Sequence, residues 1–313
     1  MNSGSKVLSI TEIVRDFEKK LGFKSEIKWK TFATITGFHV FGIYLSYFYA
    51  LPVKWQTIIY SQILFVLSGM GVTCGAHRLW THRSYKATLP LKIFLTLCFA
   101  SAGQNSIYDW VRDHRLHHKY SDTDADPHNI NRGFLFAHIG WLMMKKNDLV
   151  LAHGRQIDMS DIESEKVLMW EKNLLLCYFL PTLIPIYFWS ESWKCAITWV
   201  CFIRFLLVLH FEMTVNSFAH MFGMKPYNKN IIPTQNRFVS ICTFGEGWHN
   251  YHHVFPYDFK ASETFAILDW STFFIKSWAK MGLAYDLKEP SPEMVASLVK
   301  RLNKGENAEL KGN

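Results

Sequence analysis

Residues 56–82 read QTIIYSQILFVLSGMGVTCGAHRLWTH, uncharged as far as Ala76 and closing on two histidines. From Gln56 to Ala76 it has the length a helix needs to cross about 30 Å of hydrocarbon. His77 and His82 follow at once, so ionisable rings are expected where this helix leaves the apolar layer. They are five residues apart, about 140° around an ideal helix, and meet only if the helix ends or bends between them.

Working outward, Phe32 to Leu51 (FATITGFHVFGIYLSYFYAL) is a second run of spanning length, with His39 its one ionisable side chain. A break at Pro52 to Trp55 joins the two as a hairpin. Leu91 to Ala102 is short for a span and reads as a re-entrant or interfacial helix. Further on, Leu174 to Trp189 carries Pro181 and Pro185, and after Ser190 to Trp193 the run Cys195 to Val215 completes a second hairpin. The reading is an all-α membrane protein: four transmembrane helices (about 32–51, 56–76, 174–189 and 195–215) in two hairpins, under a cytosolic helical cap that carries the histidine boxes. The cap is drawn from 77–171 and 216–287. Residues 1–30 are expected as an exposed cytosolic segment with a short amphipathic helix near Ile10 to Leu21, 31–287 as the main domain, and 288–313 as a charged, loosely ordered tail. Only Lys54 and Lys194 mark the tight turns, whereas Lys and Arg are plentiful before the first run and in the middle segment, so the shared side with both termini is cytosolic.

Composition agrees with a folded, membrane-embedded chain: of 313 residues 49% are hydrophobic and 16% aromatic. The charged fraction is 19% with a net charge of +8, which suits an anionic membrane face or anionic substrate; the apolar runs argue against nucleic acid. Cys74, Cys98, Cys177, Cys195, Cys201 and Cys242 form no CxxC pair and are expected as buried thiols without disulfides. The first thirty residues lack the apolar core of a cleavable signal.

Beyond His77 and His82, Val111 to Asn129 (VRDHRLHHKYSDTDADPHN) places His114, His117 and His118 at i, i+3 and i+4, leaving one helix face toward a common point. The spacing returns as His249, His252 and His253 in GEGWHNYHHVFP, and Asn216 and His220 in NSFAH share a face on the continuation of the last span. One HxxHH alone is often no more than a solvated helix face. Nine histidines and an amide at one membrane surface exceed what a single tetrahedral zinc uses and suggest two ions.

The segments GAHRLWTHRSYKA, DHRLHHKYSDTDADPHN, NSFAH and GEGWHNYHHVFPYD, in this order and spacing, resemble the membrane-bound acyl-CoA desaturases of the stearoyl-CoA desaturase type, delta-9-like, over about Trp29 to Asp286. The resemblance implies two iron ions (Fe2+) held by His77, His82, His114, His117, His118, His220, His249, His252 and His253, with Asn216 reaching one iron through water. It implies a multi-pass protein of the endoplasmic reticulum membrane that places a cis double bond in a saturated fatty acyl-CoA, with dioxygen as co-substrate and electrons from cytochrome b5 and its NADH-dependent reductase. It also points to Asn105, Arg112 and Asp113 as contacts to the coenzyme A moiety or thioester, and to Lys145 and Lys146 for its phosphates; the two lysines read equally well as a positive-inside anchor. Family members often have asparagine where this chain has Thr31 and tryptophan where it has Met213, which bears on headgroup and tunnel contacts.

Phe65, Gly69 and Thr73 form a stripe below His77 and are expected to line an acyl tunnel; Gly69 serves equally as a site of close helix approach. Asp113, Asp126 and His128 are candidate supports for ligand histidines, while His39, His138, His153, His210 and Arg204 are expected to be structural. No haem, flavin or dinucleotide signature is present, so electrons are expected from a separate acidic donor docking on a basic face. Two other readings are a histidine-box hydroxylase or desaturase of another lipid and, from a different class, a metal transporter, whose ligands belong within the spans.

Overall fold

The computed structural model describes residues 9–170, 175–262 and 269–303, with side chains at 169, 170, 175 and 176 excepted. It is mostly helical: α1 (Ile10–Lys20), α2 (Trp29–Tyr49), α3 (Trp55–Thr81), α4 (Leu89–Ala102), α5 (Ile107–Tyr120), α6 (Cys177–Trp189), α7 (Trp193–Met221), α8 (Arg237–Cys242), α9 (His249–Val254), α10 (Trp270–Lys280) and α11 (Pro292–Leu302). A two-residue ladder, Lys86–Ala87 against Ala284–Tyr285, ties the C-terminal part to the end of α3.

Of the four runs expected to span a membrane, α3 and α7 are long and apolar enough by length and composition. Their burial pattern is inverted relative to a water-soluble bundle. Thr57, Ser61 and Ser68 on α3 are buried, while Ile59 and Ile63 on the same helix, with Phe41, Ile43 and Tyr47 on α2, face outward. Hydroxyls inside and apolar side chains outside is the arrangement lipid favours.

Arg204, in the uncharged stretch of α7, is 1% exposed and fully engaged. Its guanidinium donates to the carbonyls of Val200, Ser101 and Cys177 and to Ser68 Oγ, joining α3, α4, α6 and α7. A charge at this depth persists only when satisfied in this way. On the far side, Glu191 closes both tight turns by accepting from Thr57 Oγ1 at 2.6 Å and from the Lys54 amide at 2.9 Å.

Close backbone approach decides the α3–α4 contact. A Cβ on Gly71 would stand 2.1 Å from the Phe99 amide nitrogen, a backbone atom that cannot turn aside. Gly71→Ala is therefore expected to destabilise by about 1–3 kcal/mol through overpacking, read as a lower temperature of irreversible inactivation than Ser101→Ala at the same helix pair.

The expectations for the ends are met in part. The N-terminal segment forms the expected short helix and is largely exposed, with Ile10, Ile13 and Phe17 facing outward, but it is also anchored: Glu18 is buried and accepts from the Ile27 amide and Trp29 Nε1, and Ile27 pairs with Met144 of the middle segment. Beyond residue 288 the chain is not simply a loose tail, because Ser291 caps α11 and Val295 packs on Tyr251 and Phe255. Residues 304–313 and the expected start of the third span at 174 lie outside the described residues. All six cysteines are free, as expected.

Candidate metal centre

The two histidines that close α3 are brought together by its winding. From Gly71 to Thr81 the helix runs in wide π turns, and the His82 amide donates to the His77 carbonyl five residues back at 3.1 Å. Such turns stack residues five apart, which an α-helix does not, and concentrate at functional sites. The rings of His77 and His82 stand 4.8 Å apart, centre to centre.

The HxxHH motifs do something the spacing alone did not show. His77, His82, His114, His118 and His252 form one group of donors, and His117, His220, His249 and His253 form another, with the donor atoms of each group within 4.8 Å of one another. Each motif thus divides. On α5 the i, i+4 pair His114 and His118 joins the first group while His117 turns to the second; on α9 the pair His249 and His253 joins the second and His252 the first. Residues four apart are separated by about 40° around a helix and neighbours by about 100°, so one helix laid between two centres serves both. The expectation that each triplet converges on one point is corrected accordingly. Asn216 lines the adjoining cleft with His77 and His114.

The donors fit a bound cation. His252 Nε2 lies 3.0 Å from Nε2 of both His77 and His118, and His249 Nε2 lies 3.0 Å from Nε2 of both His220 and His253. Nitrogens converging in this way set lone pair against lone pair unless a proton or metal lies among them. Nε2 of His82 and of His114 is buried with no partner. Burial first, and then the charge of neighbouring imidazoles, holds His82, His114, His118, His249, His252 and His253 well below the usual histidine range, keeping the neutral form that ligates.

Behind the rings stand carboxylates. His117 Nδ1 lies 2.8 Å from Asp126 Oδ2, His220 Nδ1 3.0 Å from Asp122 Oδ1, and His77 Nδ1 2.9 Å from Glu246 Oε2. At His117 and His220 an Nδ1–H donated to the carboxylate leaves the Nε2 lone pair aimed at the metal position and raises its basicity; His77 and Glu246 are within ion-pair distance without hydrogen-bond alignment. Burial works against ionisation of Asp126, but His117 and His128 hold its carboxyl well below the ordinary range. His128 packs its ring 4.3 Å from that of His117, and burial lowers its pKa to about 3.

Glu246 and Asp122 were missed in the sequence, as was Arg78. Arg78 is buried and donates to Glu246, Asp269, Thr272 and the Phe259 carbonyl. Charge next to His77 in GAHR, and the glutamate three before His249, were the available signals. Neither has helical spacing to its partner, so only long-range folding joins them.

A cleft of about 370 Å³ opens beside the donors. Its lining includes the polar side chains of Lys28, Asn105, Asp113 and Asn216, the rings of His77, His114 and Trp110, and the apolar side chains of Phe38, Tyr178, Phe205 and Leu209. Thr31 and Met213, the two departures noted in the sequence, both line it. Of the stripe Phe65, Gly69 and Thr73, Thr73 is the member on the lining; the Phe244 ring occupies the space a Gly69 side chain would need, 2.1 Å from a Cβ there, and packs on Phe65. Gly69 thus admits a neighbouring ring. Asp113 binds Lys146, and Arg112 pairs with Asp109 at 3.0 Å and with Asp113 at 3.4 Å. Lys145 pairs with Glu26, away from that group. Burial, and then the charge of Lys146, lowers the pKa of Lys28 on this lining.

Two all-imidazole donor groups beside an apolar cleft are an arrangement compatible with metal binding. The fatty acid desaturase family model matches residues 25–259. An acyl-CoA Delta(11) desaturase of Spodoptera littoralis is 48% identical, the alignment covering 91% of this chain and 86% of the relative. A Delta(9)-fatty-acid desaturase of Caenorhabditis elegans is 44% identical, with coverage of 91% and 86%. The human stearoyl-CoA desaturase is 44% identical over 90% of this chain and 80% of its own length. The chain belongs to the fatty acid desaturase family and is an oxidoreductase of the acyl-CoA desaturase kind.

Proposed function

We propose that this enzyme introduces a cis double bond into a saturated fatty acyl-CoA, using two iron ions, dioxygen and electrons from cytochrome b5 and its NADH-dependent reductase. The observation that carries the reading is the division of nine histidines into two donor groups whose nitrogens lie within 4.8 Å of one another, next to an apolar cleft. Five imidazoles would hold one iron and four the other, Asn216 facing the cleft beside them. Bound iron supplies the dioxygen-derived oxidant that an unactivated alkyl chain requires.

The chain's own residues hold the substrate and shape its surroundings. Lys28 on the lining and Lys146 beside Asp113 present positive charge, for which the phosphates of coenzyme A would compete with Asp113. Asn105 and Arg112 stand beside them, and Lys145 lies outside this group with Glu26. Gln104, which lines the cleft, leaves Nε2 without a partner while its Oε1 accepts from Trp110 Nε1, so that N–H is free for a thioester carbonyl. The buried apolar wall excludes water from the reacting carbons. Asp122 and Asp126 fix the protonation and direction of His220 and His117, and Glu246 places a carboxylate 2.9 Å from His77 Nδ1.

The inverted burial of α2, α3, α6 and α7 supports four membrane helices, with the donor groups, the cap and both termini at the cytosolic face of the endoplasmic reticulum. Relatives named for Delta(9) and for Delta(11) desaturation are of similar identity, so both positions stand as candidates. Expression in a desaturase-deficient yeast, with the double bond located by mass spectrometry, tests the reading. Monounsaturated acyl chains with the bond at one of these positions are expected; hydroxylated chains, or none with iron-loaded protein, overturn it. Purified protein should hold about two iron ions per chain, and active protein with about one would contradict the two-centre assignment.

A further inference from the structure

Glu212 sits inside the cleft with both carboxyl oxygens buried and no hydrogen-bond partner among the described residues. It lies four residues before Asn216 on α7, one turn or about 6 Å further along the helix from the donor groups. Three other polar side chains on the lining, Thr243, Thr73 and Glu246, have partners of their own. Thr243 Oγ1 donates to the Val239 carbonyl, Thr73 Oγ1 accepts from Ser271, and Glu246 is held by Arg78 and His77. Arg78 itself is taken up by Glu246, Asp269 and Thr272. A carboxyl buried without any partner is costly, and in an apolar membrane region it is a functional group by default.

A saturated chain offers only C–H groups to this carboxyl and leaves both oxygens bare. A hydroxyl on the chain can donate to one oxygen and accept from the acid form. We propose that Glu212 is a polar subsite that selects acyl chains bearing a hydroxyl group, seated one helical turn beyond the level of Asn216. The proposal rests on the acyl-CoA desaturase reading and narrows its substrate class. Gln104 and Trp141 also leave an N–H without a partner on the lining, so a hydroxylated substrate enters a cleft with polar anchors at more than one depth.

The test uses full-length enzyme in membranes with cytochrome b5 and its reductase. A saturated acyl-CoA is compared with a series of the same length in which one hydroxyl is moved carbon by carbon. For the wild type, one hydroxyl position is expected to raise kcat/KM by about tenfold or more over the saturated chain, the size of effect that satisfying a buried polar group gives. Glu212→Gln, which keeps hydrogen-bonding capacity, should retain the preference; Glu212→Leu should lose it and gain on the saturated chain. Thermal-shift binding of the same acyl-CoAs should rank in the same order without turnover. Equal kcat/KM and binding for all chains in the wild type, or a preference that survives in Glu212→Leu, overturns the proposal and leaves the carboxyl as a holder of bound water. Absence of any double bond in any chain would instead sink the desaturase reading, while the binding arm would still report on the subsite.

Discussion

Changing His252 to alanine is expected to abolish desaturation, by at least a thousandfold, while the protein still inserts into membranes and keeps its helical content. His252 Nε2 stands 3.0 Å from both His77 and His118 Nε2, so its removal takes out the donor between them and weakens the hold of the remaining four on an ion. Iron content should fall from about two to about one per chain, because the second group, His117, His220, His249 and His253, is untouched. His117→Ala should produce the complementary loss from the second group. His153→Ala is the control: its ring stacks on Tyr120 at 4.4 Å and joins neither group, so activity within about twofold of wild type is expected. Full activity in either ligand variant, or loss of both ions from His252→Ala with the fold intact, would contradict the division into two centres.

Arg78→Met should be the most damaging change outside the donors. The guanidinium lies among Glu246, Asp269, Thr272 and the Phe259 carbonyl, and Glu246 and Asp269 are themselves 6% and 2% exposed. Removing the cation leaves two buried carboxylates unpaired, a loss of about 3–5 kcal/mol. Burial raises the Asp269 pKa even with Arg78 present, so one carboxyl takes up a proton first and the loss is partly relieved. Low yield and an inactivation temperature far below wild type are expected at neutral pH. The surviving protein should bind iron more weakly, since Glu246 beside His77 is no longer held in place. Arg83→Met, which removes a half-exposed pair with Asp161, should change stability by less than about 1 kcal/mol. Equal stability of the two variants would show that Arg78 is not the electrostatic centre of the cap.

Much of this protein was legible locally. Uncharged runs of spanning length announce the long helices, because a helix in lipid must be apolar outward whatever it packs against, and the four histidine segments announce the metal chemistry, because ligand type is a property of side chains. Arg204 could be read as structural from its place in the last apolar run, and its hydrogen bonds bear this out. Spacing on a straight helix failed at two points. His77 and His82 looked ill-matched until π turns brought residues five apart into register. Each HxxHH looked like one site, although the 100° between neighbouring residues sends its members to two.

Residue types, their order and the long apolar helices were determined by the sequence by itself: the apolar runs are local, and a neutral imidazole is a donor type that can ligate. Which histidine serves which centre was decided only by the tertiary structure, as were the pairing of Glu246 with His77 and Asp122 with His220 and the isolation of Glu212 in the cleft. The physical reason is separation along the chain. Asp122 and His220 lie 98 residues apart, so no local pattern links them, and the burial that makes their contact strong exists only once the cap has closed over the helices.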